Sequence, residues 1–222
     1  MGKKRVATRF LKAFEAVLRD KAKQDPALVK FADALKDGRD GALGKSPGAR
    51  PDVAALNHLP GLLNDLSSWD DDFQDMLRAT ADAASWFMSY DAKDVGDTLA
   101  GGLVATQVAG KRGLLRTDTL FTGFFLIGPN VTYPLHDHVS DELYFVVSGA
   151  VDIQNGFDAE PQRITADAYS VTPSGVPHEL RTGNDPVLMI YVWTGQVDCD
   201  VFWWEHTGGD NWRRFVPART LR

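Results

Sequence analysis

Beyond Gly101-Gly102 the chain stops carrying apolar residues at helical spacing and breaks into short apolar runs punctuated by turn residues. That change restricts the fold more than any other feature of the 222 residues. The clearest runs are Thr122 to Ile127, Glu142 to Val147, Val151 to Gln154, Tyr169 to Val171 and Val187 to Trp193, rich in β-branched and aromatic side chains. Pro129-Asn130, Ser148-Gly149, Asn155-Gly156 and Gly183-Asn184-Asp185-Pro186 supply corners between them. Several short antiparallel strands at this spacing predict a mainly β fold, a small barrel of the double-sheet jelly-roll type.

The first ninety residues carry a different period. Phe10, Phe14, Val17 and Leu18 recur at helical spacing, as do Phe73, Met76, Leu77, Ala84, Phe87 and Met88. Pro26, followed by Leu28, Phe31 and Leu35, predicts another helix that stops near Gly38, and the Gly- and Pro-rich stretch from Gly38 to Pro51 reads as a loop. Ser68-Trp69-Asp70-Asp71-Asp72 opens the last helix, where a Ser or Asp cap and acidic first-turn residues suit the positive helix end. The expected organisation is a helical segment over 1–105 and a barrel with a metal site over 106–222. The apolar stripes of the helices then bury against the outside or mouth of the barrel, or against the second subunit of a homodimer.

Chemistry concentrates in His136-Asp137-His138-Val139-Ser140-Asp141-Glu142-Leu143-Tyr144. Read as one strand, its even positions 136, 138, 142 and 144 share a face, while Leu143, Phe145 and Val147 point the other way. Two imidazoles and a carboxylate on one face form a ligand set for a first-row divalent ion, with positions left open for substrate or water. In Thr172-Pro173-Ser174-Gly175-Val176-Pro177-His178 a tight turn delivers His178 at the start of another strand, as a fourth ligand.

Over roughly residues 128 to 184 these motifs resemble those of the cupins, which implies a cupin double-stranded β-helix with an α-helical amino-terminal segment. His136-x-His138, Glu142 and Gly149 stand at the family's spacing, as do Pro173, Gly175 and His178, whereas Gly128 lies two residues too far upstream, Asp167 replaces a leading glycine and Asn184 is displaced by two. Within the cupins, Tyr133-x-x-His136-x-His138-x-x-x-Glu142-x-Tyr144 is similar to the pattern of the dimethylsulfoniopropionate (DMSP) lyases. That resemblance implies that His136, His138, Glu142 and His178 hold the metal, that Tyr144 is the base, and that Tyr133 assists by holding substrate. It also implies the reaction, a β-elimination of DMSP to dimethyl sulfide and acrylate.

A sulfonium group has no proton to donate, so it is recognised by charge and shape, and aromatic faces attract cations. Trp193 is the lead candidate for such a wall, with Phe125 and Tyr191 beside it, and Phe202, Trp203, Trp204, Trp86 and Tyr90 are further aromatics within reach. The ligand set accepts zinc, iron, manganese, cobalt or nickel. The same ligands would also serve an iron-dependent cupin dioxygenase, or a non-catalytic cupin that binds a small acid.

Charge narrows the partners. A formal charge of -6 and a pI near 5.3 give no footprint for nucleic acid or anionic membrane, and the basic residues Lys3, Lys4, Arg5, Arg9 and Lys12 read as a solvated helix end. The apolar residues after them are broken by Lys12, Glu15 and Arg19, so neither a secretory signal nor a bilayer span is expected. Cys199, the only cysteine, precludes an intrachain disulfide, fits a cytoplasmic location, and reads as a strand residue. His206 reads as a surface or cap residue and His58 as a structural one.

Overall fold

The computed structural model describes residues 2–44 and 49–217. Six α-helices are described: α1 (Lys3–Lys21), α2 (Val29–Asp37), α3 (Leu59–Asn64), α4 (Asp71–Ala83), α5 (Ala92–Val95) and α6 (Asp97–Gly102). The strands are β1 (Ala42–Leu43), β2 (Trp86–Met88), β3 (Leu103–Thr106), β4 (Leu115–Arg116), β5 (Leu120–Ile127), β6 (Thr132–Asp137), β7 (Ser140–Asn155), β8 (Gln162–Thr165), β9 (Tyr169–Thr172), β10 (His178–Arg181), β11 (Val187–Gly195), β12 (Phe202–Gly208) and β13 (Asn211–Phe215). Residues 45–48 of the expected loop lie outside the described residues, and the part before them holds a 3-10 turn and β1, which pairs with β4.

The architecture is mainly β, with the helices gathered at the amino-terminal end. The main sheet runs β13-β12-β6-β10-β7-β11-β5-β3-β2, with β8 and β9 also paired to β7. β7 makes this a two-layered structure. Its residues 140–149 pair with β11, and its residues 150–155 pair with β8 and β10. The expected corner at Ser148-Gly149 is therefore a bend within one 16-residue strand. The register against β11 shifts there, Gly149 adopts φ 83°, and a Cβ on it would lie 2.0 Å from Pro186 O. Only glycine fits that bend.

Both faces of the β5-β11-β7 layer are apolar because both are covered. Phe124, Leu126, Leu143, Phe145, Val147, Ile190 and Val192 face the helices, while Phe125, Ile127, Tyr144, Met189 and Tyr191 face the interior. Phe10 and Phe14 of α1, fully buried, meet Phe124 and Phe145 edge-on at 5.7 and 5.2 Å. Burying each such ring contributes about 1.5–3 kcal/mol. The helical stripe thus docks on the outside of the sheet.

α4 starts where its sequence requires, with the Asp70 carboxylate accepting from Phe73 N at 2.8 Å. It ends earlier than the periodicity predicts. Ala84 is extended, and Trp86-Phe87-Met88 forms β2 against β3 instead of a last helical turn. A short apolar run satisfies either period, and stacking of Trp86 on Phe124 at 6.1 Å decides for the strand. The non-glycine residues with positive φ among those described are Asn130 (56°) and Asp167 (68°). Asp167 stands at the first glycine of the second cupin motif, and Asn130 at the position two residues beyond Gly128. Asn and Asp are the side chains that best tolerate this left-handed backbone, so the turns survive the loss of glycine.

Candidate active site

The stretch 136–144 is not one strand. His136 belongs to the end of β6, His138 lies in the connection, and Glu142 and Tyr144 belong to β7. The side chains converge nonetheless, because β10 brings in His178 directly opposite His136. His136, His138, Glu142 and His178 are all essentially inaccessible to solvent. One ring nitrogen from each of the three histidines lies within 4.8 Å of the others.

Each imidazole is oriented by a backbone carbonyl two residues away. Nδ1–H of His136 donates to Pro134 O at 2.7 Å, that of His138 to Ser140 O at 3.2 Å, and that of His178 to Val176 O at 3.0 Å. A carbonyl only accepts, so the proton sits on Nδ1 and the Nε2 lone pairs are free. Two of them face Glu142 Oε2, at 2.9 Å from His138 and 3.1 Å from His178. Lone pairs at that separation repel unless a proton or a metal ion lies between them. The donor set therefore fits a divalent cation, with the carbonyls as the outer support that metal-binding histidines need.

Beside this group lies a cavity of about 240 Å³, walled by Glu142, Tyr144, Tyr133, Phe125, Tyr191 and Trp193. It is mostly apolar and suits a molecule of few heavy atoms. A family model of the dimethylsulfoniopropionate lyases matches residues 41–189. The chain belongs to that family. It is 25% identical to the DMSP lyase DddQ of Ruegeria pomeroyi over 126 residues, 56% of this chain and 62% of that relative, so the match spans less than two-thirds of the relative's length. The crystal structure of DddQ from the same species shares the fold, with a TM-score of 0.61 and 22% identity over 88% of this chain and 94% of that one. A chain from the structures of the DMSP lyases RdDddP and RnDddQII gives 0.56 at 26% identity, over 79% and 96%. No helix among the described residues is long and apolar enough to cross a membrane.

Within this DMSP lyase fold Phe125, Tyr191, Trp193 and Tyr90 reach the cavity wall, whereas Trp86 packs on Phe124 on the helix side and Phe202, Trp203 and Trp204 do not line the cavity. Tyr133 reaches the wall against simple alternation, being three residues from His136. The β6–β10 pairing shifts register, His178 opposing His136 while Leu180 opposes Tyr133, and this bulge turns Tyr133 inward. Its ring then stacks on His136 at 3.9 Å. Trp193 lies over His138 at 4.1 Å, and its indole N–H has no hydrogen-bond partner among the described residues. Tyr191 Oη donates to Thr106 O at 3.0 Å, so that residue contributes its ring rather than a free hydroxyl. Phe125 packs against Tyr144, Tyr133 and Tyr191 at 5.7, 6.0 and 6.3 Å.

Burial works against charge on Glu142, but His138 and His178 outweigh it and hold the carboxyl below its ordinary range, a pull that needs a proton on Nε2 or a cation in its place. His136 is pushed well down by burial and then by the neighbouring His178 and His138, so it stays neutral as a ligand must. Burial, and then the charge of Glu142, push the Tyr144 phenol up, while Tyr90 is pushed up to about 12 chiefly by burial.

Three other residues stand out. Cys199 lies in the connection between β11 and β12, on the cavity wall, rather than in a strand. Tyr90 and Trp203 meet at Tyr133, a convergence that single-sequence periodicity cannot display. Asp137, between two of the histidines, is buried and accepts from Trp204 Nε1 at 2.8 Å and from Arg214, which clamps the β12–β13 hairpin to the histidine strand. His206 is exposed and contacts Gly209 O.

Proposed function

We propose that this chain is a metal-dependent lyase that cleaves dimethylsulfoniopropionate to dimethyl sulfide and acrylate. The observation that carries the reading is the set of three imidazoles held as Nδ1–H tautomers, with ring nitrogens within 4.8 Å of one another and two Nε2 atoms facing Glu142, beside a small aromatic cavity in a chain of this family. His136, His138, His178 and Glu142 would hold one divalent ion, drawn from zinc, iron, manganese, cobalt or nickel. Bound there, it supplies Lewis acidity that makes the proton beside a substrate carboxylate easier to remove.

The remaining work falls to side chains of this chain. Tyr144 acts as the phenolate, the form that a divalent ion held beside it would favour against the upward push of burial and Glu142. Its Oη takes the proton from the carbon next to the carboxylate, the new C=C bond forms, and the C–S bond breaks with its electron pair passing to sulfur. Tyr133 holds the carboxylate. Phe125, Tyr191 and Trp193 give the sulfonium aromatic surface, worth about 0.5–2 kcal/mol per face by cation–π attraction. Their apolar walls also limit the water that could compete for the proton.

The test is anaerobic. Purified protein offered each candidate metal is mixed with DMSP, the headspace is sampled for dimethyl sulfide, and metal content is measured on the same preparation. Dimethyl sulfide and acrylate in equal amounts, without oxygen and scaling with bound metal, are expected. Metal-replete protein that forms neither product would overturn the assignment.

A further inference from the structure

We propose that Trp203, Tyr90 and Tyr133 form an ordered hydrogen-bond relay whose polarity fixes Tyr133 as a donor to the substrate carboxylate, with Tyr90 as its positioning residue. The carboxylate rests on the lyase reading; the polarity rests on geometry alone.

Trp203 Nε1 lies 3.3 Å from Tyr90 Oη, and Tyr90 Oη lies 2.6 Å from Tyr133 Oη. An indole N–H can only donate, so Tyr90 accepts at the first link. Tyr90 is buried, and its own hydroxyl proton must find an acceptor. Among the described hydrogen bonds the available acceptor is Tyr133 Oη. Tyr90 therefore donates at the second link, and the proton of Tyr133 is left to point into the cavity that both tyrosines line. A hydroxyl that already accepts one hydrogen bond donates a stronger one, so the relay sharpens Tyr133 toward an anion.

Three distant parts of the chain build this arrangement. Tyr90 follows β2, Tyr133 lies on β6, and Trp203 on β12 sits opposite His136 in the β6 register. Alternation along β12 sends Trp204 the other way, to Asp137. The rings meet edge-on, Tyr90 at 5.7 Å from Tyr133 and 5.2 Å from Trp203, so ring packing as well as hydrogen bonding holds the three side chains together.

The test uses metal-loaded full-length protein, with acrylate binding followed by calorimetry and DMSP turnover followed separately. Tyr90→Phe keeps the ring and is expected to weaken acrylate binding and raise KM by up to about tenfold, with kcat within about threefold, the upper end of the loss for a hydrogen bond between neutral groups. Trp203→Phe, which removes the first link and part of the indole packing on Tyr90 and Tyr133 while leaving the second link, should cause a smaller loss in the same direction. Adding Tyr90→Phe to Tyr133→Phe should cost nothing further, because the two act as one unit.

Unchanged acrylate binding in a folded Tyr90→Phe protein, or losses that add with those of Tyr133→Phe, would overturn the relay while leaving the lyase reading in place. A parent that binds acrylate in a Tyr90-dependent way but releases no dimethyl sulfide would keep the relay and remove the lyase reading. A parent that neither binds nor turns over removes both.

Discussion

Replacing Tyr144 by Phe deletes one oxygen from the cavity wall, and the structure allows its consequences to be divided. Ring packing against Phe125 at 5.7 Å and His178 at 6.2 Å does not depend on the hydroxyl. Glu142 retains His138 and His178 as partners, so no buried carboxylate is stranded. Stability and metal content should therefore stay near those of the parent. The reaction should not. A general base contributes about 100- to 10,000-fold, which at about 1.36 kcal/mol per tenfold is roughly 2.7–5.5 kcal/mol of barrier. The aromatic lining leaves little room for a water to take over, so the loss should fall in the upper part of that range. Headspace measurement of dimethyl sulfide gives kcat, elemental analysis gives metal per chain, and thermal melting reports the fold. A folded, metal-replete Tyr144→Phe protein with kcat within a few-fold of the parent would refute the assignment and make Tyr133 the next base to test.

Gly149→Ala should destabilise the chain by at least about 1–3 kcal/mol, the usual cost of a left-handed non-glycine residue, because its Cβ would also meet Pro186 O; a denaturation midpoint equal to the parent's would show that the β7 bend adapts. Arg214→Met leaves Asp137 with Trp204 as its remaining partner of the three contacts described. Because Arg214 is 40% exposed, the expected cost is about 1–3 kcal/mol, less than the 3–5 kcal/mol of a fully buried pair, and unchanged stability would show that the hairpin is held by its aromatics alone. The Tyr169 phenol is pushed up by burial, then by its hydrogen bond to Asp25 and that carboxylate's charge. Its folded value lies above the unfolded one, so its contribution is complete below the unfolded value and fades as pH rises through the folded one. Tyr169→Phe should flatten the alkaline fall in melting temperature, and parallel curves for the two proteins would count against this linkage.

What the sequence reveals and what it hides have different physical origins. The stripe Phe10, Phe14 and Leu18 and the Asp70 cap are local patterns, and both appear where expected. His178 opens β10 because Pro173 and Gly175 set its turn within five residues. Trp86-Phe87-Met88 misleads because three bulky residues satisfy two periods, and a contact with Phe124, far along the chain, makes the choice. Ser148-Gly149 looks like a corner because turn residues also build bulges. Tyr133 is placed correctly only through a register shift against β10 that no property of β6 announces. Tyr90 and Trp203, separated by 113 residues, acquire their meaning through pairing between β12 and β6.

The same division runs through the site. Each histidine takes its tautomer from a carbonyl two residues away, so the readiness of the ligand set is written into short turns and β6, β7 and β10 only have to bring three such units together. The cavity wall is assembled from distant segments: the residues after β2, the inner face of β5 and β11, and the residues just before β12 and just after β13, whose hairpin is clamped through Asp137 and Arg214. Metal competence and substrate shape therefore rest on separable parts of the chain. Substitutions after β2 can reshape what enters the cavity while the three histidines keep their ring nitrogens within 4.8 Å of one another. Changes at Pro134 or Val176 reach the ligands through backbone carbonyls, whereas a change at Ser140 also removes the hydrogen bond that its Oγ donates to Gln196 O at 2.9 Å.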